Sequence, residues 1–216
     1  MTAEKILSVA QAEIGTSESP PGSNRIKYNT WYYGQEVSGR AYPWCMVFIQ
    51  WCFAQAEASE LLPLRTASCG ALMRAAQAVG LWVVRDYRPG DIIVYDFPGG
   101  GPTDHCGIVE SFAKGKIVSI EGNTGAGNDA NGGQVQRRTR DIKLAVGAVR
   151  PQYEQEYKPD NTPAPAHREG VEWALEHGIL LGNAQGDLML SQPLTRQQFC
   201  TMLFRFFRWS REEGKE

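Results

Sequence analysis

The sequence predicts an α+β fold, in which helices pack on an antiparallel sheet. Helical patterns fill the first half of residues 1–151, strand-like patterns fill the second half, and the connections between the strands are short. A polar stretch with three prolines, assigned to residues 152–165, predicts a linker. The chain is therefore expected to have one larger domain, followed by a small helical module at residues 166–216.

Three helices are expected in the larger domain, and all have recognisable ends. Gly15 and Gly80 are typical of the residue that follows a helix, and Ser68 is a typical N-cap. Pro43 favours the start of the middle helix, in which apolar residues at steps of three and one form a stripe that packs on a core. The expected helices span residues 3–14, 43–58 and 69–79.

Five strands rich in Val and Ile follow the helices, separated by clusters of Gly, Pro, Asn and Asp. A turn at residues 97–102 places His105 at the start of a strand, on the rim of the sheet. The Gly- and Asn-rich segment 122–133 cannot hold regular structure and is expected to form a mobile surface loop. The expected strands span residues 91–97, 105–112, 116–121, 134–140 and 145–149.

The composition excludes some classes of partner. The chain has 22 basic and 24 acidic residues, a formal charge of −2 and a pI near 6.0, so it has no net positive field to hold nucleic acid. Membrane insertion is not expected, because no apolar run approaches the roughly 20 residues that cross a bilayer. The N-terminus has the pattern of an amphipathic helix rather than of an export signal, which predicts synthesis without export through the Sec route.

The five cysteines are expected to be free thiols in a reduced protein. Their number is odd and they lack CxxC or other zinc-type spacing, so no metal or other cofactor is expected. Cys45 lies two residues after Pro43, in the first turn of a helix, where unpaired N–H groups and the helix dipole stabilise a thiolate. Cys45 is therefore the candidate nucleophile. The cysteines expected in the core are Cys52, Cys69, Cys106 and Cys200.

His105 is the candidate base for Cys45, because the other two histidines lie at the linker and near the end of a C-terminal helix. Glu121 and Asn123 end the next strand two residues apart, so both side chains share one face if the chain is still extended there. Either can then orient the imidazole. These residue types predict a Cys–His–acid relay for nucleophilic catalysis.

Four short motifs accompany these residues: Tyr42-Pro-Trp-Cys-Met-Val-Phe-Ile-Gln-Trp51, Arg88-Pro-Gly-Asp91, Asp104-His-Cys-Gly-Ile-Val109 and Ile120-Glu-Gly-Asn123. Together they resemble the CHAP family of cysteine- and histidine-dependent amidohydrolases and peptidases, which includes many phage endolysins. The resemblance covers about residues 1–151. It implies a papain-like α+β core for the larger domain.

The resemblance also implies a substrate and a role for each catalytic residue. Cys45 would attack an amide carbon of peptidoglycan, and His105 would take and return the proton. Glu121 and Asn123 match the family's positions for the residues that steady the histidine. The bond is implied to be the muramoyl-L-alanine amide or an amide within the stem or cross-bridge. Residues 35–40 lack the Asp-rich calcium loop of some phage relatives, so the resemblance does not imply that this chain depends on calcium.

The expected biological setting is a phage or prophage endolysin, made without an export signal and released to the cell wall by a holin. One alternative is a bacterial wall-remodelling enzyme or toxin of the same chemistry. Another is a non-catalytic protein that only binds the wall. The presence of both Cys45 and His105 favours an enzyme over that last alternative.

The sequence offers two sets of candidate substrate-binding residues in the larger domain. The Cys45 N–H is a natural oxyanion donor, and either Asn29 or Gln35 is expected to supply a second one from upstream of the nucleophile. Tyr28 and Trp31 belong to an aromatic run that either forms a platform for sugar rings and peptide stems or packs in the core.

Residues 166–216 predict a small helical wall-binding or oligomerisation module. One helix is expected at residues 170–178, and residues 195–198 fit a capping box that starts another helix with a broad apolar face. This order of motifs resembles a single S-layer homology motif, which implies that Arg196 contacts an anionic wall polysaccharide. A lone copy leaves its apolar face exposed, so the module is expected to dock on the larger domain or to form a homo-oligomer. A helical tail without a ligand is the alternative.

Overall fold

A computed structural model gives the fold of this chain. It describes residues 1–98, 103–154 and 159–213. The chain divides into two compact units, Met1–Gln155 and Glu156–Glu216. Parts of the expected turn at 97–102 and of the expected linker at 152–165 lie outside the described residues. None of the helices in the described ranges combines the length and the apolar character needed to cross a membrane.

Four α-helices lie in the described part of the first unit, and the three predicted ones are confirmed with slightly shorter spans. The additional helix was not predicted because it is only seven residues long and Ile26 occupies its N-cap position, where no polar side chain signals a start. This helix ends at Gly34, whose φ of 73° is readily adopted by glycine. The four helices are α1 Ala3–Ala12, α2 Lys27–Tyr33, α3 Cys45–Gln55 and α4 Cys69–Ala78.

Six strands of the described chain form one sheet, in which every neighbouring pair is antiparallel. They are β1 Trp82–Val83, β2 Ile92–Tyr95, β3 His105–Ala113, β4 Lys116–Thr124, β5 Gln134–Asp141 and β6 Ala145–Val149. Their order across the sheet is β1-β6-β2-β3-β4-β5. The five predicted strands are confirmed, whereas β1 is too short to show an alternating pattern. Helices that pack on an antiparallel sheet confirm the predicted α+β class.

The first turn of α3 lies against the end of β4 because a glycine occupies the point of contact. A Cβ added at Gly122 would lie 2.6 Å from the Cβ of Phe48, which is closer than non-bonded carbons approach. The fully buried Trp44 holds the same region, since its indole N–H donates to Glu18 at 2.7 Å. Helix α3 contacts both β3 and β4, and this packing positions the start of the helix beside both strands.

The segment 122–133 was expected to be a mobile surface loop, and this prediction is corrected for residues 122–124. Strand β4 continues to Thr124, and its last residues are buried. Beyond the strand, the backbone N–H of Gly132 donates to the carbonyl of Asn123 at 2.9 Å, which ties the loop back to the strand. A glycine-rich composition does not reveal such backbone hydrogen bonds. The sequence therefore predicted a longer irregular segment than the structure has.

The second unit contains two α-helices in its described residues, α5 Arg168–Glu176 and α6 Arg196–Glu213. The predicted capping box is confirmed. The backbone N–H of Gln198 donates to the Thr195 hydroxyl at 3.2 Å, and the Thr195 N–H donates to the Gln198 side chain at 2.9 Å. Gly178, with φ of 66°, lies just after the end of α5.

The core of the second unit is small. The ring of Trp173 stacks on His177 with 4.6 Å between centroids and meets Trp209 edge-on at 4.9 Å. Among the described residues of this unit, only Ile179 and Asp187 are buried. The large apolar side chains that α6 leaves exposed are Phe199, Leu203, Phe204, Phe206 and Phe207.

Candidate active site

Cys45 is the first residue of α3, as the sequence predicted for the nucleophile. Its side chain is largely buried, with 6% of the residue exposed. The N–H groups of a helix's first turn have no partners within the helix, and they give this end a partial positive charge. Cys45 therefore lies where a thiolate is stabilised and where a backbone N–H is available to an oxyanion.

His105 is the first residue of β3, where it pairs with Tyr95 of β2. The imidazole is fully buried. Its Nε2 atom lies 3.1 Å from a carboxylate oxygen of Glu121, whereas its Nδ1 atom has no hydrogen-bond partner in the described part of the chain. Nε2 is therefore bound by a carboxylate, and Nδ1 is the ring nitrogen available to Cys45.

Glu121 is held by a buried network that the sequence did not reveal. Arg140 of β5 binds both carboxylate oxygens, through Nε at 3.1 Å and Nη2 at 2.7 Å. The hydroxyl of Ser119 donates to the same carboxylate at 2.7 Å. Arg140 also reaches Asp129, with 2.7 Å between Nη1 and Oδ1. Glu121 is thus fixed in position and its charge is compensated, which makes it a rigid partner for His105.

The pKa shifts of this group follow from these contacts. Hydrogen bonds from the thiols of Cys106 and Cys69, with a further contribution from His105, hold the pKa of Cys45 well below its usual range despite burial. Burial lowers the pKa of His105, but the interactions with Cys45 and Glu121 outweigh burial and raise it to about 9. Both shifts favour a thiolate beside an imidazolium.

The pKa of Glu121 is shifted as well. Burial raises it, but the hydrogen bonds from His105 and Arg140 outweigh burial and hold the pKa below its usual value. The carboxyl group therefore stays ionised near neutral pH. An ionised Glu121 accepts the Nε2–H of His105 and fixes the ring orientation that turns Nδ1 to the nucleophile's side.

Two further thiols border the nucleophile. The Sγ atoms of Cys45 and Cys69 are 3.9 Å apart, and the three Sγ atoms of Cys45, Cys69 and Cys106 lie within 4.8 Å of one another. Cys69 and Cys106 are buried, as expected, but the sequence gave no sign that they meet Cys45. Cys52 is fully buried, whereas Cys200 is exposed on α6, which corrects the expectation that it lies in the core.

Asn123 departs from the predicted geometry. Its φ of 58° and the register shift between Glu121 and Thr124 break the extended chain on which the shared face depended. The Asn123 side chain donates to Asn131 at 2.9 Å and accepts from the N–H of Gly133 at 3.3 Å. The described contacts therefore place Asn123 as a brace of the 125–133 loop, and Glu121 is the residue that contacts the imidazole.

The two candidate oxyanion side chains differ in their surroundings. Asn29 is fully buried, and both hydrogens of its amide are used, at 2.8 Å by the carbonyl of Asn24 and at 3.0 Å by that of Tyr42. Asn29 therefore has no amide hydrogen left for an oxyanion, and this expectation is corrected. Gln35 follows the Gly34 terminator of α2 and is exposed.

The aromatic run divides into a buried and a partly exposed part. Tyr28 is fully buried and donates its hydroxyl hydrogen to Glu13 at 2.6 Å, so it belongs to the core rather than to a substrate platform. Trp31 is partly exposed, with the guanidinium of Arg65 5.8 Å from its ring centroid. Arg196 is the first residue of α6 in the second unit and is exposed. Trp31, Gln35 and Arg196 remain candidates for substrate contact.

A protein-family model matches part of the first unit. Residues 37–123 match the family model of the CHAP domain, a range that contains Cys45, His105, Glu121 and Asn123. No curated protein sequence matches the chain. The resemblance of the second unit to an S-layer homology motif stays a prediction.

Two solved structures are similar to this chain at low identity. The crystal structure of Ly7917 is 16% identical with a TM-score of 0.43, over 70% of this chain and 63% of that one. The crystal structure of the wild-type endolysin LysIME-EF1 is 16% identical with a TM-score of 0.39, over 82% of this chain and 87% of that one. The chain thus spans less than two thirds of the length of Ly7917. The match to the CHAP family model, at residues 37–123, covers less than half of this chain.

Proposed function

We propose that this chain is a peptidoglycan hydrolase that cuts an amide bond through a covalent intermediate on Cys45. One observation carries the proposal. A nucleophile at a helix N-terminus meets a histidine whose far nitrogen is held by a buried carboxylate, and all three residues lie within the CHAP match. The residues are Cys45, His105 and Glu121.

In the first half of the reaction, the Cys45 thiolate attacks the carbonyl carbon of the scissile amide. A C–S bond forms, and the carbonyl electrons move to oxygen to give a tetrahedral oxyanion. The backbone N–H of Cys45 is placed to stabilise that charge, since it belongs to the first turn of α3. The C–N bond then breaks as the His105 imidazolium gives its proton to the leaving amine, and a thioester remains on Cys45.

In the second half, His105 takes a proton from water as the water oxygen attacks the thioester carbon. The C–S bond breaks, the wall fragment leaves as a carboxylic acid, and Cys45 returns as a thiolate beside the imidazolium. Glu121 keeps the ring in one orientation through both halves by accepting from Nε2. Arg140 in turn fixes Glu121 through two hydrogen bonds, so it is a positioning residue.

The bond that is cut is either the muramoyl-L-alanine amide or a peptide bond of the stem or cross-bridge. The products distinguish the two activities. Purified walls are digested with the full chain, and the new amino termini are labelled and identified by mass spectrometry. A new L-alanine terminus indicates an amidase, and a terminus within the stem or bridge indicates an endopeptidase. Walls that release no new amine with the wild-type chain would contradict the proposed function.

We assign the chain to lysis by a phage or prophage, with release to the wall through a holin pore. Support comes from the CHAP match. A bacterial wall-remodelling enzyme or toxin would use the same site. Expression inside a bacterial host separates them: a lysin of this type leaves cells intact until a holin is co-expressed, and then clears the culture.

A further inference from the structure

Three thiols from three separate elements converge beside the reacting atoms. Cys45 begins α3, Cys69 begins α4, and Cys106 is the second residue of β3. The Sγ atoms lie within 4.8 Å of one another, and all three residues are buried. The proposed hydrolysis needs only one of these thiols, so the other two call for a separate explanation.

The spacing of the sulfur atoms is close to that of a metal site. A tetrahedral Zn²⁺ ion with Zn–S bonds of about 2.3 Å holds its thiolates about 3.8 Å apart. The Cys45 and Cys69 sulfurs are already 3.9 Å apart, and the other two separations need to close by at most about 1 Å. Rotamer adjustments of cysteine side chains are sufficient for such a movement.

The imidazole of His105 is buried next to one of these thiols. The Nδ1 atom of His105 is buried and has no hydrogen-bond partner in the described part of the chain, on a ring that interacts with Cys45. Its Nε2 atom is held by Glu121, and this carboxylate–histidine arrangement is how metal-binding imidazoles are usually oriented. The three thiols are donors of the kind that Zn²⁺ prefers, and a water molecule can fill the fourth position of a tetrahedral site.

We propose that Cys45, Cys69 and Cys106 form a binding site for a thiophilic divalent cation such as Zn²⁺, and that occupancy reversibly blocks the nucleophile. As the ion binds, the protonated ligands release their protons to solvent, and no oxidation is involved. The spacing of the cysteines along the sequence does not predict this site, because its ligands come from distant parts of the chain. The inhibitory part rests on the proposed function, whereas the binding part does not.

Binding is tested on the full chain, reduced with a phosphine because dithiols compete for the metal. Native mass spectrometry with ZnCl₂ should show one bound ion at a stoichiometric addition. Co²⁺ in its place should give thiolate-to-metal charge-transfer absorption. Cys69→Ser and Cys106→Ser should each weaken Zn²⁺ binding by at least about 100-fold. Cys52→Ser and Cys200→Ser, which change thiols outside the cluster, should bind as the wild type does.

A second measurement needs no variant and so does not depend on how the substituted proteins fold. Zn²⁺ should slow alkylation of Cys45 in the folded wild-type chain, and should leave Cys200 reactive. Wild-type affinity in Cys69→Ser and Cys106→Ser, or an unchanged rate of Cys45 alkylation, would overturn the inference. A reduced chain that takes up no Zn²⁺ would do so as well.

The inhibitory part has its own readout. Zn²⁺ should abolish wall hydrolysis by the wild type at one equivalent, and a chelator should restore it fully. Full hydrolysis by a chain shown to carry Zn²⁺ would overturn this part. A chain that binds Zn²⁺ but never cuts walls would instead refute the proposed function, while the metal site would stand.

Discussion

The two units of this chain differ in where their polar and apolar groups lie. In the first unit a charged group, Glu121, is fully buried and bound by three donor side chains. In the second unit the large apolar side chains of α6 are exposed, among them Phe204 at 61%. Buried and satisfied polar groups specify one rigid geometry, whereas an exposed apolar face needs a partner. The proposed catalysis therefore uses the first unit, and the proposed self-association uses the second.

The largest expected effect is the loss of the nucleophile. Cys45→Ala should lower the rate of wall hydrolysis by about 10⁴-fold or more, because no other described group occupies the start of α3 to form the thioester. The matched control is Cys52→Ser, which changes a buried thiol two turns further along the same helix. Release of amines from purified walls measures both. Near wild-type turnover by Cys45→Ala would place the chemistry elsewhere.

The next largest effect concerns the stability of the buried network. Arg140→Ala leaves the Glu121 carboxylate buried without its main charged partner, so the free energy of unfolding should fall by about 3 kcal/mol. Arg138→Ala is the matched control, since Arg138 lies on the same strand with 23% of its side chain exposed and bonds Asp129 but not Glu121. Urea denaturation measures both variants. Equal losses would show that the network does not stabilise the first unit.

The pH dependence of hydrolysis gives a smaller but specific effect. The thiolate is lost as pH falls through the lowered pKa of Cys45, and the imidazolium is lost as pH rises through about 9. Activity should therefore decline on both sides, with an alkaline limb near pH 9 when a chelator is present. Glu121→Gln removes one cause of the raised His105 pKa, so its alkaline limb should move to lower pH. If the alkaline limb did not move, Glu121 would not be a cause of the raised pKa of His105.

The smallest effect on catalysis should come from changes in the second unit. Phe204→Ser with Phe207→Ser removes part of the exposed face of α6, and should convert a homo-oligomer to a monomer while leaving cleavage of small muropeptides unchanged. Val84→Ser, at an exposed apolar site of the first unit, is the control. Light scattering reads the oligomeric state. A wild-type chain that is already monomeric would refute self-association through this face.

The sequence predicted the parts of the fold and the site that depend on local patterns. Short motifs and the periodicity of apolar residues predicted the helix of Cys45 and the strand of His105. They also indicated Glu121 as the acid. Arg140 was missed because it meets Glu121 only through the pairing of β4 with β5. Pairing register depends on where bulges fall, and a single sequence does not mark them.

Two other misses have the same physical origin. The meeting of Cys69 and Cys106 with Cys45 depends on how α3, α4 and β3 pack, and no spacing along the chain encodes it. Asn123 was grouped with Glu121 by the alternation of an ideal strand, but its φ of 58° interrupts that alternation. These features of the site depend on tertiary contacts and on local backbone conformation, and local sequence patterns do not encode them.

The account rests on covalent catalysis by one of five cysteines. The most direct measurement is to quench the wild-type chain in acid during turnover of a wall fragment and to map the adduct by peptide mass spectrometry. A thioester should be found on Cys45, with none on Cys69 or Cys106, although their sulfurs lie within 4.8 Å of it. An adduct on another cysteine, or turnover that persists after Cys45 has been alkylated, would contradict the account.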